Sequence, residues 1–390
     1  MSKTSCLLPL LTALAGSCAS QGLLGPPAEA HPADAGRLGD GQLNDQLELI
    51  RGDHRLPALA AVIFGPDGVL ESGFVGARAL GHPEPIGADD QWHIGSLTKS
   101  MTATVAAILI EQGKIGWKTT IADVLPDVPI RQEYRSVTLT DLLTNSAGTA
   151  TDATRAPSWG SLATSTLSLS DQRRLLAREY LAMAPVSAVG IFNYSNAGYI
   201  VAGAMLEQVA GKAGESLIAE DLFVPLQMTS AGFGPPSGST DVAEPWGHSI
   251  LDDGFAPAAP GPAADNPPAL VPAGTVHASM ADLAKYYEIH LKGAMGASPL
   301  ISADSYQILH TPAPGTIYAC GWGVVARDWA GGTAYQHDGS NNFWYADVWL
   351  APSKGFGLLT VTNGAGLRAS TAMNDTAVML ITRFTGVPPT

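Results

Sequence analysis

Positive charge is scarce in this chain: 21 lysines and arginines face 35 aspartates and glutamates, a formal charge of -14 over 390 residues. A surface with that balance repels phosphate backbones and anionic headgroups, which excludes nucleic acid and charge-driven membrane docking. Charged residues amount to only 14% against 46% hydrophobic, which excludes a disordered chain and leaves ample material for a large core. Cysteine is nearly absent. Of the three, Cys6 and Cys18 fall in or beside an N-terminal targeting stretch, so Cys320 alone is expected in the mature protein. That excludes an internal disulfide framework, and Cys320 reads as a small buried hydrophobe. Beyond the N-terminus no uninterrupted apolar run is long enough to span a bilayer. No pair of the nine histidines has metal-ligand spacing such as H-E-x-x-H, and there is neither a G-x-S-x-G elbow nor a glycine-rich phosphate loop. No metal and no cofactor are therefore expected.

What is present begins with a leader. Lys3 precedes a short apolar run at 6–16, and Ala28-Glu29-Ala30 fits a small-residue cleavage pattern, with Ser20 as a second position. This predicts an exported protein, periplasmic or secreted, with residues 1–30 removed and 31–40 a flexible lead-in. Ala15-Gly16-Ser17-Cys18 loosely matches a lipoprotein signal, so a lipid anchor at Cys18 is the lesser alternative.

Periodicity predicts a short helix at 42–51, then strands at 59–64 and 69–75 joined by the turn Gly65-Pro66-Asp67-Gly68. A strong helix at 96–112 is closed by Gly113, and further helices are expected at 138–145, 170–183, 196–210, 214–222 and 280–292. Residues 231–276 are rich in Gly, Pro and Ala and read as a long loop beside a cleft. Strands return at 321–326, 332–337, 343–350 and 356–362, before a last helix at 369–384. The order predicts an α/β (α+β) protein. Residues 41–95 and 276–390 form one antiparallel sheet flanked by helices, with an all-helical region, 96–275, inserted in a single catalytic domain at 41–390.

The chain contains one S-x-x-K, Ser96-Leu97-Thr98-Lys99. Residues i and i+3 share a helix face, so hydroxyl and amine can meet, and a serine becomes a nucleophile when a neighbouring amine takes its proton. Alternatively Ser96 is a helix N-cap and Lys99 a solvated residue. A lysine in a first helical turn opposes the macrodipole, which makes it a poor structural choice there. In Tyr194-Ser195-Asn196, an extended backbone turns Tyr194 and Asn196 to one side. Tyr194 can relay a proton while Asn196 contacts a substrate carbonyl and holds Lys99; the other reading is a core aromatic followed by an N-cap. His337-Asp338-Gly339-Ser340 ends a strand. Gly339 admits an acyl group close to the backbone, and the amides of Ser340 and Ser96 can form an oxyanion hole; the other reading is a hairpin turn.

Taken together, the three motifs resemble the penicillin-recognising serine hydrolases, most closely the class C β-lactamase branch with its Y-x-N element. Segments 137–148, 192–198, 225–228 and 272–274 resemble that family as well, in the same order. The resemblance implies a β-lactamase/transpeptidase-like fold. It also implies Ser96 as acylated nucleophile, Lys99 and Tyr194 as bases, Asn196 as substrate ligand, and His337 in the place of the K-T-G lysine. There the chain departs from β-lactamases: His337 is mostly neutral near pH 7, and Asp338, if it faces the cleft, brings negative charge. Relatives with histidine at this position include D-amino-acid peptidases, and the wider family includes carboxylesterases. The expectation is a serine hydrolase acting on small-molecule acyl esters, amides or peptides of little charge. The alternatives are a β-lactamase or D-alanyl-D-alanine carboxypeptidase, an acyltransferase, or a non-catalytic binding protein.

Overall fold

The computed structural model describes residues 35–238 and 241–389. The expected leader, with Cys6, Cys18 and both cleavage positions, and the start of the lead-in lie outside them. The rest of the lead-in is not loose. Arg383 is buried in the last helix and needs acceptors, which it finds in the carbonyls of Ala35 (2.7 Å) and Arg37 (2.8 Å) and in Asp40 (2.6 Å).

Six antiparallel strands form the main sheet, in the order Gly68–Gly76, Ala58–Gly65, Phe356–Thr362, Tyr345–Ala351, Gly332–Ser340, Gly323–Arg327. The first and last parts of the chain thus meet where Ala58–Gly65 pairs with Phe356–Thr362. Every residue of Ala58–Gly65 is buried, because both faces of the sheet are covered. Ala58, Ala60, Val62 and Phe64 enter one core with Met280–Ala294 and the helical region. Leu59, Ala61 and Ile63 enter a second core under Leu43–Asp53 and Gly366–Thr385. Burial of Leu59, Val62, Ile63 and Phe64 contributes about 1.5–3 kcal/mol each, which commits the strand to this register.

Most predicted helices form within a few residues of the expected bounds: Leu139–Leu143, Leu169–Ala182, Asn196–Ala210 and Met280–Ala294. The stretch 231–276 departs from its reading as a bare loop. It holds the hairpin His248–Leu251 with Gly254–Pro257 and the helical turn Val271–Gly274. A small second sheet also uses it, pairing Gln91–His93 and Gly232–Phe233 with Val276–Ser279. These elements are two to four residues long, too short to show a period. The predicted helix at 214–222 is an α-turn, Gly214–Ile218, continued by a wider turn, Ala219–Phe223. Among the described residues no helix is long and apolar enough to cross a membrane, and no three His, Cys, Asp or Glu cluster as metal ligands.

Candidate active site

The predicted helix at 96–112 starts later than expected. Gly95–Leu97 is a 3-10 turn, and the α-helix runs Thr98–Glu111. Thr98 sets the turn: its hydroxyl donates to the Gly95 carbonyl (2.7 Å) and accepts from the Val276 amide (3.2 Å), while the Ile94 amide donates to Val276 O (3.0 Å). Ser96 makes no capping bond and stays partly exposed, so the N-cap reading does not hold.

Lys99 is not a surface residue. It is 0% exposed, and its Nζ lies 3.0 Å from Ser96 Oγ, 2.7 Å from Asn196 Oδ1 and 2.7 Å from the Ala273 carbonyl. The last two oxygens only accept, so they hold two N–H groups, while the third direction from nitrogen meets a hydroxyl that can donate or accept. Once the amine has given up its extra proton, this arrangement aims its lone pair at the Ser96 hydroxyl.

Tyr194 and Asn196 both reach Lys99, as expected, because Ser195 between them is extended (φ -146°, ψ 114°). Ser195 is the N-cap of Asn196–Ala210, its hydroxyl accepting from Gly198 N (2.9 Å) and donating to Ala150 O (2.6 Å). The Ser195 amide donates to Oδ1 of Asn145, itself held at φ 55°. Asn196 is thus the first helical residue and Tyr194 the last before the cap. The Tyr194 ring centre lies 4.8 Å from Lys99 Nζ. Ser195 is thus the N-cap of the other reading, and the residues on either side of it lie against Lys99.

Strand Gly332–Ser340 closes the site. A β-carbon at Gly339 would fall 2.2 Å from Ile94 O and 2.7 Å from Ser96 N, and one at Gly95 (φ +52°) would fall 2.4 Å from Ser340 N. Only glycines allow this approach. It brings the Ser96 and Ser340 amides to one edge, and Ser340 is fixed there by its hydroxyl, which donates to Trp344 O at 2.7 Å.

His337 and Asp338 do not share the cleft. Neighbours on a strand point to opposite faces, and the Asp338 carboxylate accepts from Tyr345 OH at 2.7 Å, beside its cross-strand partner Asp347. Burial raises the pKa of Asp338 and pushes that of Asp347 up to about 8. His337 is 6% exposed, and burial, then the charge of Lys99, pulls its pKa down to about 3. Its Nδ1 lies 2.6 Å from the Asp338 carbonyl and its Nε2 lies 2.9 Å from Tyr318 OH. Tyr318 was not foreseen. It sits in a loop without period, and its ring meets those of Tyr194 (6.1 Å, edge-on) and Phe192 (5.4 Å).

Residues 41–383 match the family model described as Beta-lactamase. The chain belongs to the Beta-lactamase family. It is similar to "Penicillin-binding protein 4" of Amycolatopsis lactamdurans, 26% identical over 336 residues, or 82% of this chain and 84% of that one. It also resembles "Unguisins hydrolase ungD'" of Aspergillus campestris, 25% identical over 320 residues, covering 78% of this chain and 57% of that one. Among solved structures, the octameric penicillin-binding protein homologue from Pyrococcus abyssi superposes with a TM-score of 0.72 at 21% identity, covering 90% of this chain and 79% of that one. The D-stereospecific amidohydrolase from Streptomyces sp. gives 0.68 at 18% identity, covering 88% and 99%. At these identities the structures show the shared fold.

In this Beta-lactamase family member a second cluster, also not foreseen, braces the nucleophile from behind. The Gly95 amide donates to His93 Nδ1 (3.2 Å), which leaves the hydrogen on Nε2 to bond Asp265 Oδ2 (3.0 Å). Oδ1 of Asp265 accepts from Asn341 Nδ2 (2.9 Å), and Asn341 Oδ1 accepts from the amides of Phe343 and Trp344. One carboxylate therefore ties the 231–276 stretch to both motif-bearing segments. His93 lies three residues before Ser96, but nothing in the sequence announces its partner 172 residues away.

Proposed function

We propose that the protein is a serine hydrolase that forms an acyl-enzyme on Ser96 and cleaves ester or amide bonds in small-molecule or peptide substrates. The observation that carries this reading is the fully buried Lys99 amine 3.0 Å from a partly exposed serine hydroxyl. Ser96 Oγ attacks the substrate carbonyl as its proton passes to the Lys99–Tyr194 pair. The Ser96 and Ser340 amides hold the resulting oxyanion. The tetrahedral adduct expels an alcohol or amine, protonated by the same pair, and leaves the acyl group on Ser96. Water then repeats the attack, releasing the carboxylic acid and returning the proton to Ser96.

The substrate side bears on His337. A neutral, buried imidazole stands where the K-T-G lysine would hold a carboxylate, so an acidic recognition group gains no ion pair there. This favours esters and amides over penicillins and over peptides read through a terminal carboxylate. Hydrolysis of 4-nitrophenyl esters, nitrocefin and D-alanyl dipeptides, each with a Ser96→Ala control, tests it. The esters should be turned over fastest; nitrocefin as the best substrate would overturn the specificity.

The leader at 1–30 supports action outside the cytoplasm. N-terminal sequencing of protein from an exporting host should find a start between about residues 20 and 31, and an intact Met1 would contradict export.

A further inference from the structure

We propose that Tyr318 decides which leaving groups the site accepts, by occupying the one nitrogen of His337 at which the ring could take up a proton. The subsite then stays uncharged and takes leaving groups that carry no carboxylate. This rests on the reading of Ser96 as the acylated nucleophile.

The tautomer follows from the partners. A carbonyl oxygen only accepts, so the 2.6 Å contact between His337 Nδ1 and Asp338 O puts the hydrogen on Nδ1. The remaining lone pair is on Nε2, 2.9 Å from Tyr318 OH, and the phenol donates to it. Protonating the ring would set two donors against each other until the phenol turned its hydrogen elsewhere. Tyr199, whose own hydroxyl donates to Leu143 O at 2.6 Å, is the acceptor it would turn to.

The other groups facing the imidazole do not favour a cation. Lys99 adds positive charge nearby, Tyr194 presents its ring at 6.3 Å, and the Asp338 carboxylate is turned to the opposite face of the sheet. In this arrangement a leaving group beside Tyr194 meets a phenol and a neutral imidazole, and a carboxylate there would lose water without gaining a cation. Tyr318 is thus a positioning residue, acting through His337.

The test compares 4-nitrophenyl acetate with 3-carboxy-4-nitrophenyl acetate, the second differing by a carboxylate on the leaving group. In the native protein the ratio of kcat/KM, carboxylated over plain, should be low and flat from pH 7 to pH 5. In Tyr318→Phe, which keeps the ring, Nε2 is released. Burial and Lys99 still oppose the charge, so the ratio should rise only toward the acid end of that interval, by about two- to threefold, as loss of the phenol's donor lifts the His337 pKa from its depressed value. Adding His337→Gln to that variant should abolish the rise.

A second measurement does not depend on turnover. Long-range 1H–15N spectra should show native His337 as the neutral Nδ1–H form down to pH 5, and a titrating ring in Tyr318→Phe. A ratio that changes equally at all pH values, or a His337 that titrates near pH 6.5 in the native protein, would overturn the assignment. If neither ester is turned over and a fluorophosphonate leaves Ser96 unlabelled, the hydrolase reading itself fails, and the spectra still decide whether Tyr318 holds the tautomer.

Discussion

Lys99 Nζ sits 3.0 Å from Ser96 Oγ and 2.7 Å from each of two oxygens that can only accept, Asn196 Oδ1 and Ala273 O. A lysine used for solubility would not be sealed from solvent in the first turn of a buried helix. Replacing it by Met keeps the packing of the stem and removes the amine. Lys99→Met should lower kcat/KM for an ester about 10³-fold while far-UV circular dichroism stays native. A variant within tenfold of the native rate would remove Lys99 from the chemistry.

Gly339 touches the nucleophile's own backbone. A methyl there would overlap Ile94 O and the Ser96 amide, neither of which can move without moving Ser96. Gly339→Ala should cost about 1–3 kcal/mol of stability and slow acylation together. Gly52, in helix Leu43–Asp53 with nothing near its missing side chain, is the control: Gly52→Ala should be neutral or stabilising by about 0.5–1 kcal/mol. Chemical denaturation of both variants separates the close approach from a general effect of added bulk.

The Asp265 carboxylate holds donors from two distant segments. Asp265→Ala would leave His93 Nε2–H and Asn341 Nδ2 without that acceptor, at a cost of about 1–3 kcal/mol. Because His93 in turn receives the Gly95 amide, kcat should fall as well, with KM less affected. Full activity in a destabilised Asp265→Ala protein would reduce the cluster to a structural clamp.

Several histidines are buried neutral. Burial lowers His248 and His277 to about 4 and His310 and His337 to about 3, and takes His290 well below its ordinary value. A base with a depressed folded pKa contributes stability that is fully present above the unfolded pKa of about 6.5 and is lost as pH falls toward the folded value. Stability should therefore drop steeply from pH 6.5 to pH 4. On the alkaline side Asp347, raised to about 8, acts in the opposite sense, costing stability as pH climbs from about 4 to about 8. Thermal midpoints across pH 4–9 check both limbs, and His337→Gln should make the acid limb shallower.

The legible parts of this molecule are those with a period or a fixed local spacing. Strand Ala58–Gly65, the helices Asn196–Ala210 and Met280–Ala294, and the S-x-x-K and Y-x-N residues were readable because each shows its pattern within a few consecutive residues, whatever it later packs against. Tyr318 and Asp265 were not, since each acts on a partner brought to it by chain folding from a stretch without pattern. The orientation of Asp338 stayed open for a related reason. Whether it faces the cleft depends on the pleat of one strand and on Tyr345 across from it, and neither is visible in the motif alone.

The most direct test of the central claim is intact-protein mass spectrometry after incubation with a fluorophosphonate, followed by peptide mapping. The account predicts one adduct per chain, on Ser96, absent in Ser96→Ala and much slower to form in Lys99→Met. No adduct, or an adduct on another serine, would contradict it.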